Sequence, residues 1–387
     1  MKFIKDDVVM GCRDTCARTV TLIITHDCNL NCTYCYEKYK SKKHMTLDMA
    51  KDIIAKEFAF CSQSAIYNHL CIDFMGGEPF IEFSLMRDLS EWIWNNKWPI
   101  SYTIFVTTNG TLFTDDIKSW LEINRHRFKI GMSFDGTPSM QDINRNNTSK
   151  KFSIDFFHRV YPEQLCKMTV SPDTLRTLSE GVIYLHTHGF NFTANLGHGL
   201  IWRDEDYIIY EKELFSLAKF YLKNPQYNRI ALLDIGMRAI RLSGVPEKTC
   251  GTGTSMISYD IDGNTYPCPV FSPLTMGDDN AKILCNLDFD DPNNYIDKRC
   301  IGCILHHICS TCYAFNYKIS GNIAHREECY CKLMHISAKI YTWFKTEEIK
   351  NKINNNIELS YDDIQEAAGI TYAYEHGFPD CLKKLNI

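Results

Sequence analysis

The eighteen cysteines of this 387-residue chain fall in groups, and the grouping constrains the fold more than any other feature. Cys28, Cys32 and Cys35 share one short stretch, and nine more cysteines lie between Cys250 and Cys331. In a small secreted chain such a count implies a disulfide framework. This chain is long enough to bury a core without covalent staples. Its N-terminus, MKFIKDDVVMGCRDTC, places charges where a signal peptide needs an apolar run. The cysteines are therefore expected to be reduced, in a cytoplasmic protein, with neighbouring thiolates converging on soft-metal centres.

The formal charge of −5 leaves no basic footprint for nucleic acid. No apolar run is long enough to span a membrane. From about residue 19 to 235, β-rich runs alternate with amphipathic segments. The runs Thr19–Thr25, Cys71–Met75, Thr103–Thr107, Lys129–Phe134, Cys166–Val170, Asn191–Leu196 and Arg229–Ile235 are predicted strands, rich in residues suited to buried parallel pairing. Helical spacing follows from Thr46, with Leu47, Ala50, Ile54 and Phe58, and again at Leu85, Leu89, Trp92 and Ile93. A third helical pattern runs from Pro172 to His188. The pattern predicts an α/β fold: a parallel sheet with helices outside it, as an open sheet or a full or partial barrel. Active groups then belong in loops after the C-terminal strand ends.

Beyond about residue 245 the alternation gives way to a stretch rich in Cys, Gly and Pro, which buries little apolar surface and needs metal to fold. The last fifty or so residues read as helical. The expected organisation is an N-terminal segment (1–18), a strand–helix domain (19–240), a cysteine-rich domain (245–335) and a helical C-terminal region (336–387).

The segment HDCNLNCTYCYE places Cys28-x3-Cys32-x2-Cys35 directly after the first strand. Three thiolates on one loop can hold three irons of a cubane and leave the fourth iron open to a ligand. A zinc loop is the alternative, although zinc sites more often use paired Cys-x2-Cys knuckles. With an aromatic residue, Tyr34, before the third cysteine, the pattern resembles the radical S-adenosylmethionine (SAM) superfamily. That resemblance implies a partial (β/α)6 barrel in which a 4Fe–4S cluster on Cys28, Cys32 and Cys35 binds SAM. Other strand-end motifs stand in the family's order. MGGEP, with Gly76, Gly77 and Glu78, resembles the motif that meets the SAM amino group. Asn109 in TTNGT and Ser133 in SFDG fall where relatives contact the SAM carboxylate and ribose. Arg145 resembles a carboxylate-pairing arginine, and Leu196 in NLGHG an adenine-pocket residue.

The second region resembles a SPASM domain, an extension holding two auxiliary 4Fe–4S clusters, which would bring the total to three. Cys250 is followed after twelve residues by Gly263-x4-Cys268, as in that pattern, and Cys300-x2-Cys303-x5-Cys309 also fits. Two departures stand out. Only two residues separate Cys309 from Cys312, where the family usually has three, and the end carries Cys329-x-Cys331 rather than a single cysteine. The resemblance assigns Cys250, Cys268 and Cys312 to one auxiliary cluster. It assigns Cys300, Cys303 and Cys309, with Cys329 or Cys331, to the other, while a pair of zinc sites is the alternative. Cys71 and Cys166 read as buried apolar residues, and Cys12 and Cys16 as structural thiols.

The resemblance implies a peptide or protein substrate, most often a ribosomally made precursor, and an external reductant such as flavodoxin or ferredoxin. The expected reaction is hydrogen abstraction followed by a thioether or carbon–carbon crosslink. One alternative is an anaerobic sulfatase-maturating enzyme, which makes formylglycine. Such relatives place an Asp near the auxiliary-cluster motifs, but Pro269 follows Cys268 here, leaving Asp260 or Asp262 as candidate bases. An iron–sulfur electron carrier or scaffold is the alternative from another class; it would need neither an open iron nor a SAM pocket.

Overall fold

The computed structural model describes residues 16–151, 154–244, 248, 250–284 and 287–385. Strand β1 (Ala17–Thr25) is buried at every position, as befits the run TVTLII inside a sheet. It is followed by β2 (His69–Gly76), β3 (Ser101–Thr108), β4 (Phe128–Ser133), β5 (Cys166–Val170) and β6 (Phe192–Leu196). Each of β1 to β4 pairs in parallel with the next, and β6 lies beside β5. β7 (Met256–Tyr259) joins β1 in parallel on its other side, and β8 (Thr265–Tyr266) returns antiparallel to β7. The order is β6-β5-β4-β3-β2-β1-β7-β8, a mostly parallel sheet with helices between its strands, the expected α/β class.

Alternation along the strands gives the sheet two unlike faces. Leu70, Ile72, Phe74, Ile104, Val106, Ile130 and Met132 are fully buried on one side. The intervening positions Asp73, Thr107, Ser133 and Lys167 retain some exposure and form a polar face. Helices begin where side chains cap them: Thr46, Thr114 and Thr137 accept from the backbone N–H three residues on.

The predicted strand at Arg229–Ile235 is not formed. Ala231–Leu233 is a 3-10 turn instead, followed by another at Met237–Arg241. Ile235 packs against a core of Met237, Ile240, Tyr341, Ile370 and Phe378, and the Ala231–Leu233 turn contacts the helix Glu328–Asn354, so the run is covered by helix packing rather than strand pairing. The sheet gains β7 and β8 from the cysteine-rich stretch instead.

Two compact units arise. One comprises Met1–Met168, His188–Phe192 and Cys250–Asp290; the other comprises Thr169–Thr187, Thr193–Thr249 and Asp291–Ile387. Among the described residues, no helix is long and apolar enough to cross a membrane.

Candidate functional site

In the first unit the loop after β1 carries Cys28, Cys32 and Cys35, all half-buried. Its shape is set by glycines at the end of β2. A Cβ on Gly76, whose φ is +147°, would lie 2.2 Å from the Thr25 carbonyl oxygen. One on Gly77 would lie 2.2 Å from the Asp27 carbonyl oxygen and 2.9 Å from the Cys28 Cβ. Only glycine lets the two strand ends approach this closely. The Gly77 and Glu78 N–H groups then donate to the Thr25 and Asp27 carbonyls at 3.1 and 2.8 Å.

Glu78, 2% exposed, is held entirely by protein donors. Its Oε1 accepts from Thr108 at 2.7 Å and from the Phe80 N–H at 3.1 Å, and its Oε2 accepts from the Asn109 N–H at 2.8 Å. Burial pushes its carboxyl above the usual range despite these bonds. Asn109 donates to the Asn29 side chain at 2.9 Å, so the end of β3 grips the cysteine loop.

Ser133 sits at the end of β4, and two residues on is Asp135, with no exposed surface. Asp135 accepts from Arg145 through Nε at 2.8 Å and Nη2 at 3.2 Å, and from the Tyr34 hydroxyl at 2.6 Å. The guanidinium lies 5.3 Å from the Tyr34 ring centroid. Arg145, expected from sequence to face a ligand carboxylate, is thus paired with a carboxylate of its own chain. The triad Tyr34–Asp135–Arg145 ties the loop to the end of β4; sequence placed its members without revealing their pairing.

The donor set suits a metal–sulfur group. Burial pushes the Cys28 thiol up to about 11 and raises Cys32, so thiolates here require cationic compensation. Lys40 supplies part of it, donating to the Leu30 carbonyl at 3.1 Å inside the loop. On the polar face of the sheet, Lys167 donates to Thr107 at 2.8 Å, and Asp73 accepts from Thr21 at 3.4 Å. Burial lowers Lys167 to about 8 and raises Asp73 to about 6.

The same unit holds Cys250 and Cys268. Gly263, at φ +81°, turns the β7–β8 hairpin. The Gly253 N–H donates to the Pro267 carbonyl at 3.0 Å, tying the turn after Cys250 to the residue before Cys268. Asp260 is 1% exposed and bonded to His26 at 2.6 Å. Asp262 binds Asn264 in an exposed turn. As described, then, neither is a free carboxylate beside a cysteine motif.

In the second unit, Cys300, Cys303, Cys309 and Cys331 line one cavity of about 160 Å³, together with Arg326, Glu327 and His335. At roughly 30 Å³ per water molecule this admits a polyatomic group rather than a single ion. Among the described residues, no three His, Cys, Asp or Glu side chains converge closely enough to hold one metal ion. Cubane thiolates bind separate irons and surround a volume instead. Cys329, two residues from Cys331, does not line the cavity; its thiol faces Glu327 at 3.4 Å. Cys312 directly precedes the helix Tyr313–Ser320, without a capping bond from its side chain. Leu196 ends β6, and beyond it His198 stacks between Phe315 and Tyr330, at 5.2 and 4.5 Å between ring centroids. Cys71 is half-buried in β2 and Cys166 fully buried in β5, while Cys16 is half-buried; Cys12 and Cys285 lie outside the described residues.

A family model described as a 4Fe-4S single cluster domain matches residues 10–154. The chain is similar to the cysteine-type anaerobic sulfatase-maturating enzyme of Clostridium novyi, with 24% identity over 321 residues, 73% of this chain and 84% of that one. Among solved structures it is similar to native anSMEcpe with bound AdoMet and Cp18Cys peptide, with a TM-score of 0.64 and 18% identity, over 88% of this chain and 99% of that one. It is also similar to Streptococcus suis SuiB bound to S-adenosylmethionine, with a TM-score of 0.52 and 14% identity, over 82% and 75% of the two chains.

Proposed function

We propose that this chain, a radical SAM enzyme with a SPASM-type extension, modifies a peptide by abstracting hydrogen from one of its residues. The observation carrying this reading is the loop of Cys28, Cys32 and Cys35, gripped by glycines from β2, by Asn109 from β3 and by Asp135 from beyond β4. A reduced 4Fe–4S cluster there, with SAM bound, supplies a 5′-deoxyadenosyl radical, and the rest is the work of the protein. Gly76 and Gly77 leave room at the strand end for a ligand's close approach to backbone. Asn109 and Ser133 stand at neighbouring strand ends to orient that ligand. Lys167, Asp73 and Thr107 give the polar face donors and acceptors for a substrate peptide bond. Cys300, Cys303, Cys309 and Cys331 would hold an auxiliary cluster, and Cys250 and Cys268 would serve as ligands of another.

The product is a thioether or carbon–carbon crosslink in a ribosomally made peptide, with electrons drawn from a flavodoxin or ferredoxin in the cytoplasm. Relatives support the peptide substrate: anSMEcpe was solved with a Cp18Cys peptide. A second reading, formylglycine formation, is favoured by similarity across most of the Clostridium novyi enzyme. Against it stand Pro269 at the position after Cys268 and the engagement of Asp260 by His26.

The test is anaerobic reconstitution with iron and sulfide, iron counting and assay of 5′-deoxyadenosine, on wild type and on a variant with Cys28, Cys32 and Cys35 all changed to Ala. About twelve irons, with deoxyadenosine formed only by wild type, supports the reading. Bound zinc, or no SAM cleavage, removes it. Mass spectrometry of candidate peptides separates a crosslink from a cysteine-to-aldehyde conversion.

A further inference from the structure

Lys40 lies outside every motif that the sequence offers, yet the fold brings it to the cysteine loop. Its Nζ donates to the Leu30 carbonyl at 3.1 Å. The N–H of the same residue donates to the Cys28 Sγ at 3.5 Å. Leu30 is buried between Cys28 and Cys32 and hangs from the lysine on one side while touching a ligand sulfur on the other. Burial disfavours the ammonium, but attraction to Cys35, Cys28, Glu37 and Cys32 outweighs it and raises the group above its ordinary value. Among the described residues Lys40 forms no salt bridge; the carboxyl of Glu37 also acts on it, but burial pushes that group up to about 8.

We propose that Lys40 is a positioning residue that raises the reduction potential of the cluster held by Cys28, Cys32 and Cys35. Its positive charge faces the thiolates, and through the Leu30 peptide it holds a hydrogen bond on Cys28. This rests on the reading of the loop as an iron–sulfur site. Reduction adds one electron to the cluster, and a fixed cation nearby stabilises the added charge. A hydrogen bond to a ligand sulfur acts in the same direction, and charge and sulfur hydrogen bonds are the protein's levers on cluster potential. The ordinary alternative is that Lys40 only anchors the loop, and the two roles separate by experiment.

Wild type, Lys40→Met, Lys40→Gln and Lys40→Arg would be reconstituted anaerobically. Iron would be counted, and the reduced cluster titrated potentiometrically by electron paramagnetic resonance. The first cluster's signal is the one missing from the triple cysteine-to-alanine variant. Expected is full iron with a more negative midpoint in Lys40→Met and Lys40→Gln, and a midpoint restored toward wild type in Lys40→Arg. Gln keeps a donor for the Leu30 carbonyl without the charge, so a shift in Gln isolates the electrostatic part. An unchanged midpoint in fully loaded Met and Gln variants overturns the proposal. So does loss of iron from both, which makes Lys40 an assembly residue. Loss of the spectral response to added SAM at an unchanged midpoint also overturns it, since Lys40 would then contact SAM. Wild type that takes up no iron fails the reading of the site itself, a separate outcome.

Discussion

Arg145 grips Asp135 with two guanidinium nitrogens, at 2.8 and 3.2 Å, across ten residues of chain, both side chains being buried. Asp135 in turn receives the Tyr34 hydroxyl from the cysteine loop. Breaking a buried pair by removing one partner leaves an uncompensated charge and costs about 3–5 kcal/mol. Arg145→Met is expected to lower stability by that order, and Arg145→Met with Asp135→Asn by less than the single change. Denaturant unfolding of both single variants and the double variant measures this; a double-variant loss equal to the sum of the two single losses would mean that the pair is uncoupled.

Gly77→Ala would drive a Cβ against the Asp27 carbonyl at 2.2 Å, and backbone cannot yield as a flexible side-chain tip can. The Cys28 end of the loop has to move. About a third of the reconstituted iron should be lost, together with all 5′-deoxyadenosine formation, while the remaining iron stays bound. Iron analysis beside the SAM-cleavage assay decides it.

Cys331 lines the cavity with Cys300, Cys303 and Cys309, whereas Cys329 turns to Glu327. Cys331→Ala should therefore release the iron of that cluster, and Cys329→Ala should leave it in place. Iron-to-protein ratios for the two variants, prepared side by side, test the assignment. Loss in Cys329→Ala alone would reverse it.

Two half-buried imidazoles set a pH dependence. Burial lowers both His198, stacked between Phe315 and Tyr330, and His186 to about 4. Unfolded histidine titrates near about 6.5. Between those values the unfolded chain binds more protons, so stability falls as pH drops from about 6.5 to 4 and levels off below. His198→Phe should flatten part of that slope in unfolding experiments run across the range. An unaltered slope would mean that His198 is protonated in the folded chain.

The parallel core was legible because its signals are local. Runs such as TVTLII and the helical spacing from Thr46 state a period within a few residues, and strand ends carry their own punctuation in Gly76–Gly77 and Asn109. Arg229–Ile235 misled because its apolar residues are equally compatible with helical turns, and packing against the C-terminal helices chose between them. The strand Met256–Tyr259 was hidden because four residues beside a cysteine motif carry little periodicity; its pairing with β1 forms it.

By itself the sequence determined the chemistry on offer: which thiols stand within one loop's reach, and which motifs follow successive strands. Spacing along the chain limits how far apart neighbours can be, so it reports on them directly. Only the tertiary structure decided that Cys331 rather than Cys329 joins Cys300, Cys303 and Cys309, that Arg145 is taken by Asp135, and that His26 occupies Asp260 from 234 residues away. Such choices turn on where side chains point once distant segments pack, and that direction is not written in spacing.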